Sequence, residues 1–168
     1  MKKSLEEKET QARETLKSLL RDYKTVSLAT VDAKGNPQVS YTPAAVDKSR
    51  NFYLFVSELS EHTGNLQSSG QASLMLIEDE SKSTQLFARN RLTLNGDVTE
   101  VGRETEEWSQ ASDVYRERFG KFFDQLSTLR DFHMFCFRPK TARLVVGFGA
   151  AFEVGLPDWT DLTLLTGK

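Results

Sequence analysis

Apolar and polar positions recur with two different periods along this chain. Leu5, Ala12, Leu16, Leu19 and Leu20 approximate a 3.6-residue stripe within a run of helix formers, which predicts a helix over residues 4–22. Ser4 and Glu7 are placed to form its capping box. Beyond that helix the period falls to two. Segments 25–31, 37–46 and 52–56 are rich in β-branched and aromatic residues and are separated by polar turns, the pattern of a strand meander.

Ser60 is positioned to cap a short helix running to Leu66, and Gly70 to end it. A fourth strand covers 72–77, and a long fifth covers 85–101 with a bulge or bend at Gly96. Residues 103–127 return to helical composition, divided at Gly120; Trp108, Val114, Tyr115, Phe119, Phe122, Phe123 and Leu126 supply the apolar face. Segments 132–137 and 142–148 then predict two closing strands around Pro139. Seven locally joined strands with flanking helices imply a mainly β fold, a small antiparallel barrel. The whole chain, 1–168, reads as one domain: helix 4–22, barrel 25–148 and a weakly periodic tail, 150–168, expected to reach toward a partner subunit.

Composition narrows the function classes. At 168 residues, 38% hydrophobic and 27% charged, the chain can bury a core without disulfides or structural metal. A net charge of −2 with dispersed basic residues argues against nucleic acid or an anionic membrane as partner. No apolar run approaches the roughly 20 residues of a membrane span. The N-terminus lacks the apolar core of a secretion signal. The lone Cys136 fits a reducing compartment, so a cytoplasmic location is expected, and its apolar surroundings suggest a buried structural thiol. The two histidines, His62 and His133, are too far apart in sequence to suggest a zinc site. His133, between Phe132 and Met134, reads as structural. No glycine-rich phosphate loop or nucleophile–base pair is evident.

The segment Leu86-Phe87-Ala88-Arg89-Asn90-Arg91-Leu92 carries the sharpest candidate chemistry. Read as a strand, it sends Gln85, Phe87, Arg89, Arg91 and Thr93 to one face. Two guanidiniums about 7 Å apart would grip a phosphate or a pair of carboxylates.

Several motifs in order then resemble a known family. They are Ser40-Tyr41-Thr42-Pro43, the run from Ser57 through His62 to Leu66, residues 86–92, Phe119-Gly120-Lys121, Asp131-Phe132 and Gly147-Phe148-Gly149. Together, over roughly residues 10–152, they resemble the FMN-binding split barrel of pyridoxamine 5′-phosphate oxidases, and within it the HugZ/HutZ haem-utilisation branch. That resemblance implies a homodimer with a small-molecule ligand at the subunit interface. It also implies cofactor contacts at Ser57, Ser60, His62, Arg89, Arg91 and Asp131. The flavin oxidases of the family place an arginine and a lysine after the serine matching Ser60, whereas this chain has Glu61 and His62, which reverses the local preference for phosphate. The haem branch places an axial histidine near the C-terminus, supported by an aspartate matching Asp131. Here residues 159–168 contain no histidine.

Haem, as ligand or substrate, is therefore the first expectation, with His62 the candidate iron ligand and degradation by an oxygenase, fed by an electron donor, as the activity. An FMN-dependent oxidoreductase is the alternative, its phosphate resting on the amides that open the 60–66 helix. A non-catalytic tetrapyrrole-binding or regulatory dimer is the third reading.

Overall fold

The computed structural model describes residues 4–166. The ends of the expected 1–168 domain, Met1–Lys3 and Gly167–Lys168, lie outside the described residues. Helix α1, Leu5–Asp22, opens the chain, and Ser4 and Glu7 form its capping box reciprocally. Strands β1 (Thr25–Val31), β2 (Pro37–Val46) and β3 (Phe52–Ser57) follow as the meander. Helix α2 (Glu61–Ser69) ends on Gly70, whose positive φ of 63° suits a residue without a side chain, and leads to β4 (Gln71–Ile77).

Strand β5 (Arg91–Val101), helices α3 (Glu106–Phe119) and α4 (Lys121–Ser127), and strands β6 (Phe132–Val145), β7 (Ala151–Val154) and β8 (Leu162–Leu164) complete the chain. The strands pair antiparallel in the order β3-β2-β1-β4-β5-β6-β7-β8, and a further β3–β6 pairing closes the first six into a barrel. The pattern-based reading of a mainly β barrel with flanking helices holds. Three details differ.

Strands expected over 132–137 and 142–148 are one continuous β6. Pro139 is accommodated opposite Gly96, where the β5–β6 register shifts. There a Cβ on Gly96 would lie 2.2 Å from the Arg138 carbonyl oxygen, so only glycine lets the two backbones approach. Residues 85–90 are not strand: Leu86–Ala88 make a tight helical turn, and β5 begins only at Arg91. Finally, the tail docks on its own chain, β7 on β6 and β8 on β7, with Trp159 buried in the core. Arg13 of α1 donates to the Thr160 carbonyl.

Two apolar cores result. Inward residues of the barrel, including Leu28, Leu54, Leu74, Leu94, Phe135 and Leu144, join Ala12, Leu16 and Leu20 of α1. Outside the barrel, α3 and α4 cover β3 and β6 through Phe55, Tyr115, Phe123, Met134 and Cys136. The Tyr115 hydroxyl fastens this layer, donating to the Pro43 carbonyl at 2.7 Å and accepting the Phe55 amide at 3.0 Å. Burial pushes the Cys136 thiol up to about 11, which keeps it protonated and inert.

Candidate functional site

Ser57, the last residue of β3, stands opposite Phe132 at the start of β6. Its hydroxyl donates to Asp131 Oδ2 at 3.1 Å and accepts the Leu59 amide at 3.2 Å. The Glu58 amide donates to the Asp131 carbonyl at 2.8 Å. Two of the predicted site residues are thus brought together, but as the splice that turns the chain into α2.

Ser60 holds the N-cap position of α2 without a side-chain cap bond. The Thr63 amide that a capping hydroxyl would satisfy already donates to the Ser60 carbonyl at 3.0 Å.

His62 points under α2 into the end of the barrel and is only 9% exposed. Its Nδ1 lies 2.9 Å from Ser40 Oγ on β2, and the Ser40 hydroxyl donates to the Leu28 carbonyl at 3.3 Å. Nδ1 is thereby engaged with Ser40, while Nε2 has no hydrogen-bond partner among the described residues. Burial holds the His62 pKa below its ordinary value, so the ring is neutral at neutral pH. Around it, Asn65 donates to Thr30 Oγ1 at 3.0 Å and to Gln38 Oε1 at 2.6 Å, while Gln38 donates to Glu61 at 2.7 Å. This polar cluster seats α2 on β1 and β2. Ser40 entered the sequence reading only as part of a motif, and Gln38 not at all, because their side-chain partners on α2 lie more than 20 residues away; only the packing of α2 on β2 brings them together.

His133 is more than a plain strand residue. Its Nε2 meets Glu58 at 2.7 Å and its Nδ1 meets Glu100 at 2.5 Å. Burial alone would lower its pKa, but the two carboxylates outweigh that and raise it. With both nitrogens engaged, His133 has no free donor for a metal.

The expected arginine pair is divided. Arg89, placed on a turn rather than a strand, folds back so that its Nε and Nη2 donate to the Glu78 carbonyl and its Nη1 pairs with Glu80 at 3.1 Å. It lies in the wall of an 870 Å³ groove between α1 and the 78–82 turn. Carboxylates of Glu14, Asp22, Glu78, Asp79 and Glu80 also line that groove, against cations of Lys24, Lys82 and Arg89. Arg91, two residues on, lines a separate 390 Å³ cavity together with Arg143, beside the 147–150 turn. The shared-face geometry read from the sequence fails because β5 starts at Arg91.

Strand register places both cavities on one surface. Tyr41, Ser27, Met75, Thr93 and Arg143 form a single transverse row across β2, β1, β4, β5 and β6. Val39, Ala29, Ser73, Asn95 and Thr141 form the next. In these two rows only Arg143 carries a charge. Val39 is 80% exposed and Tyr41 71% exposed, although α3 and α4 cover the opposite flank of the same barrel. Such an exposed, nearly uncharged face, carrying the large side chains of Val39 and Tyr41, marks an interaction surface.

The residue 12–146 segment matches the family model described as pyridoxamine 5′-phosphate oxidase. The chain belongs to this family. Among curated proteins, heme oxygenase HutZ of Vibrio cholerae is 41% identical over 150 residues, covering 89% of this chain and 85% of the relative. The crystal structure of HutZ, described as a heme storage protein from Vibrio cholerae, superposes with a TM-score of 0.75 at 39% identity, covering 81% of this chain and 94% of that one. Campylobacter jejuni ChuZ gives a TM-score of 0.79 at 26% identity, covering 98% of this chain and 64% of that one. Within the oxidase-like family the chain sits in the HutZ-like branch. No described helix is long and apolar enough to cross a membrane.

Proposed function

We propose that this chain binds haem, as ligand or substrate, on the uncovered face of its barrel, with a second copy of the chain closing over that face. The observation that carries the reading is the surface itself: two nearly uncharged strand rows joining an 870 Å³ groove to a cavity that holds two arginines. A flat apolar ring with an acidic edge matches that surface, and burying it between two copies removes exposed Val39 and Tyr41 from water. The 41% identity to a heme oxygenase supports the same reading.

His62 is the histidine suited to iron, because only one nitrogen of its neutral ring is engaged, whereas both nitrogens of His133 meet carboxylates. It lines neither cavity, so ligation by His62 requires α2 or the ring to move. Ser57, Ser60 and Asp131 act as the frame for α2 rather than as direct contacts. Haem, when bound, supplies the redox chemistry, and degradation draws on an external electron donor. FMN is the weaker alternative, since Glu61 places a carboxylate in the first turn of α2.

Titrating purified protein with hemin and with FMN separately tests this. A saturable Soret shift with hemin is expected, and no Soret change would refute it. Supplying ascorbate to the haem complex then separates turnover, seen as biliverdin, from binding alone.

A further inference from the structure

We propose that Arg91 and Arg143 form a two-guanidinium subsite for the carboxylates of the bound tetrapyrrole. The assignment rests on the haem reading above, and it replaces the Arg89–Arg91 pair suggested by sequence spacing.

Arg143 enters through register. It stands opposite Thr93 on β5 and Glu153 on β7, and Arg91 stands opposite Val145, two residues further along β6. The two arginines are therefore diagonal neighbours on one sheet face, within reach of each other's ligands. Both line the same 390 Å³ cavity, whose far wall is the turn from Gly147 to Ala150 together with Leu165 and Thr166, which follow β8. Among the described residues, neither guanidinium forms an ion pair. Arg91 makes only a long bond, 3.4 Å, to the Arg89 carbonyl. Arg89, by contrast, has spent its donors on Glu78 and Glu80.

Two unpaired planar forks beside one cavity suit a pair of carboxylates, each taken bidentately. The 870 Å³ groove does not offer this, because carboxylates outnumber cations in its lining. The ligand's direction follows. Its apolar body lies along the row from Met75 to Tyr41, and its acidic edge turns toward β6.

The test compares hemin with its dimethyl ester, which keeps the ring and iron but has no carboxylates, on the wild type, Arg143→Ala and Arg89→Ala. Thermal melts verify that each variant is folded. The wild type should prefer hemin to the ester by about tenfold or more, the size of a lost charge-assisted contact. Arg143→Ala should erase most of that preference, whereas Arg89→Ala should keep it. Arg143→Lys should restore part of it, as a point charge without the fork. Hemin bound by wild type and Arg143→Ala with equal affinity and equal ester discrimination would overturn the subsite while leaving the haem reading intact. A wild type that binds neither porphyrin would overturn both.

Discussion

Nδ1 of His133 lies 2.5 Å from Glu100, while its Nε2 reaches Glu58, so one imidazole joins the ends of β5 and β6 to the turn before α2. The raised pKa of His133 makes that junction pH-dependent. Its stabilisation is fully present below the ordinary histidine value near 6.5 and is lost as pH rises through the folded-state value. His62 acts oppositely. Its folded pKa is lowered by burial, so the unfolded chain takes up protons first and acidification below about 6.5 costs stability. Melting temperature against pH should therefore fall on both sides of a maximum near neutrality. His133→Gln should flatten the alkaline limb alone, and His62→Gln the acid limb alone.

The paired phenylalanines of α4 should behave very differently. Phe123 is 2% exposed and packs its ring 5.1 Å from Phe55, whereas Phe122 is 64% exposed. Phe123→Ala should cost about 3–5 kcal/mol in urea unfolding, and Phe122→Ala should stay within about 0.5 kcal/mol of the wild type.

Arg89→Ala should lower stability rather than ligand affinity. The side chain ties the 78–82 turn to the start of β5 through the Glu78 carbonyl, and its removal leaves that acceptor unmet. A lower melting temperature with unchanged hemin affinity is the expected pair of readings.

If a second copy covers the barrel face, a charge placed there should separate the copies. Tyr41→Asp puts a carboxylate on the exposed β2 end of the transverse row and should shift the mass by light scattering from dimer to monomer. A wild type that is monomeric at micromolar concentration would contradict the pairing.

The barrel was legible because β1 alternates, β3 is a short continuous apolar run and the turns between the first three strands are polar and short. The capping box and the division at Gly120 were legible because each depends on residues close in sequence; the irregularity at Gly96 was legible from the glycine itself, although the Arg138 backbone that requires it lies 42 positions away. Arg89 was misplaced because a strand pattern of apolar and charged residues continues back through 86–90, while the chain is held there in a tight turn by the Arg89–Glu78 and Gln85–Phe87 bonds. Arg143 could be assigned only from strand register, which sets it beside Arg91, 52 positions away, and the Ser40–His62 contact only from the packing of α2 on β2, 22 positions apart. The His133 clasp was invisible for the same reason: its two carboxylates are 75 and 33 positions away.

The most direct test of the account is the position of the iron, located by anomalous scattering in crystals of the hemin-loaded protein. The account predicts iron over the outer face of β1, β2 and β4, between two copies of the chain, with the porphyrin carboxylates toward Arg91 and Arg143. Iron beside α3 and α4, or on a face with no second copy opposite, would contradict it.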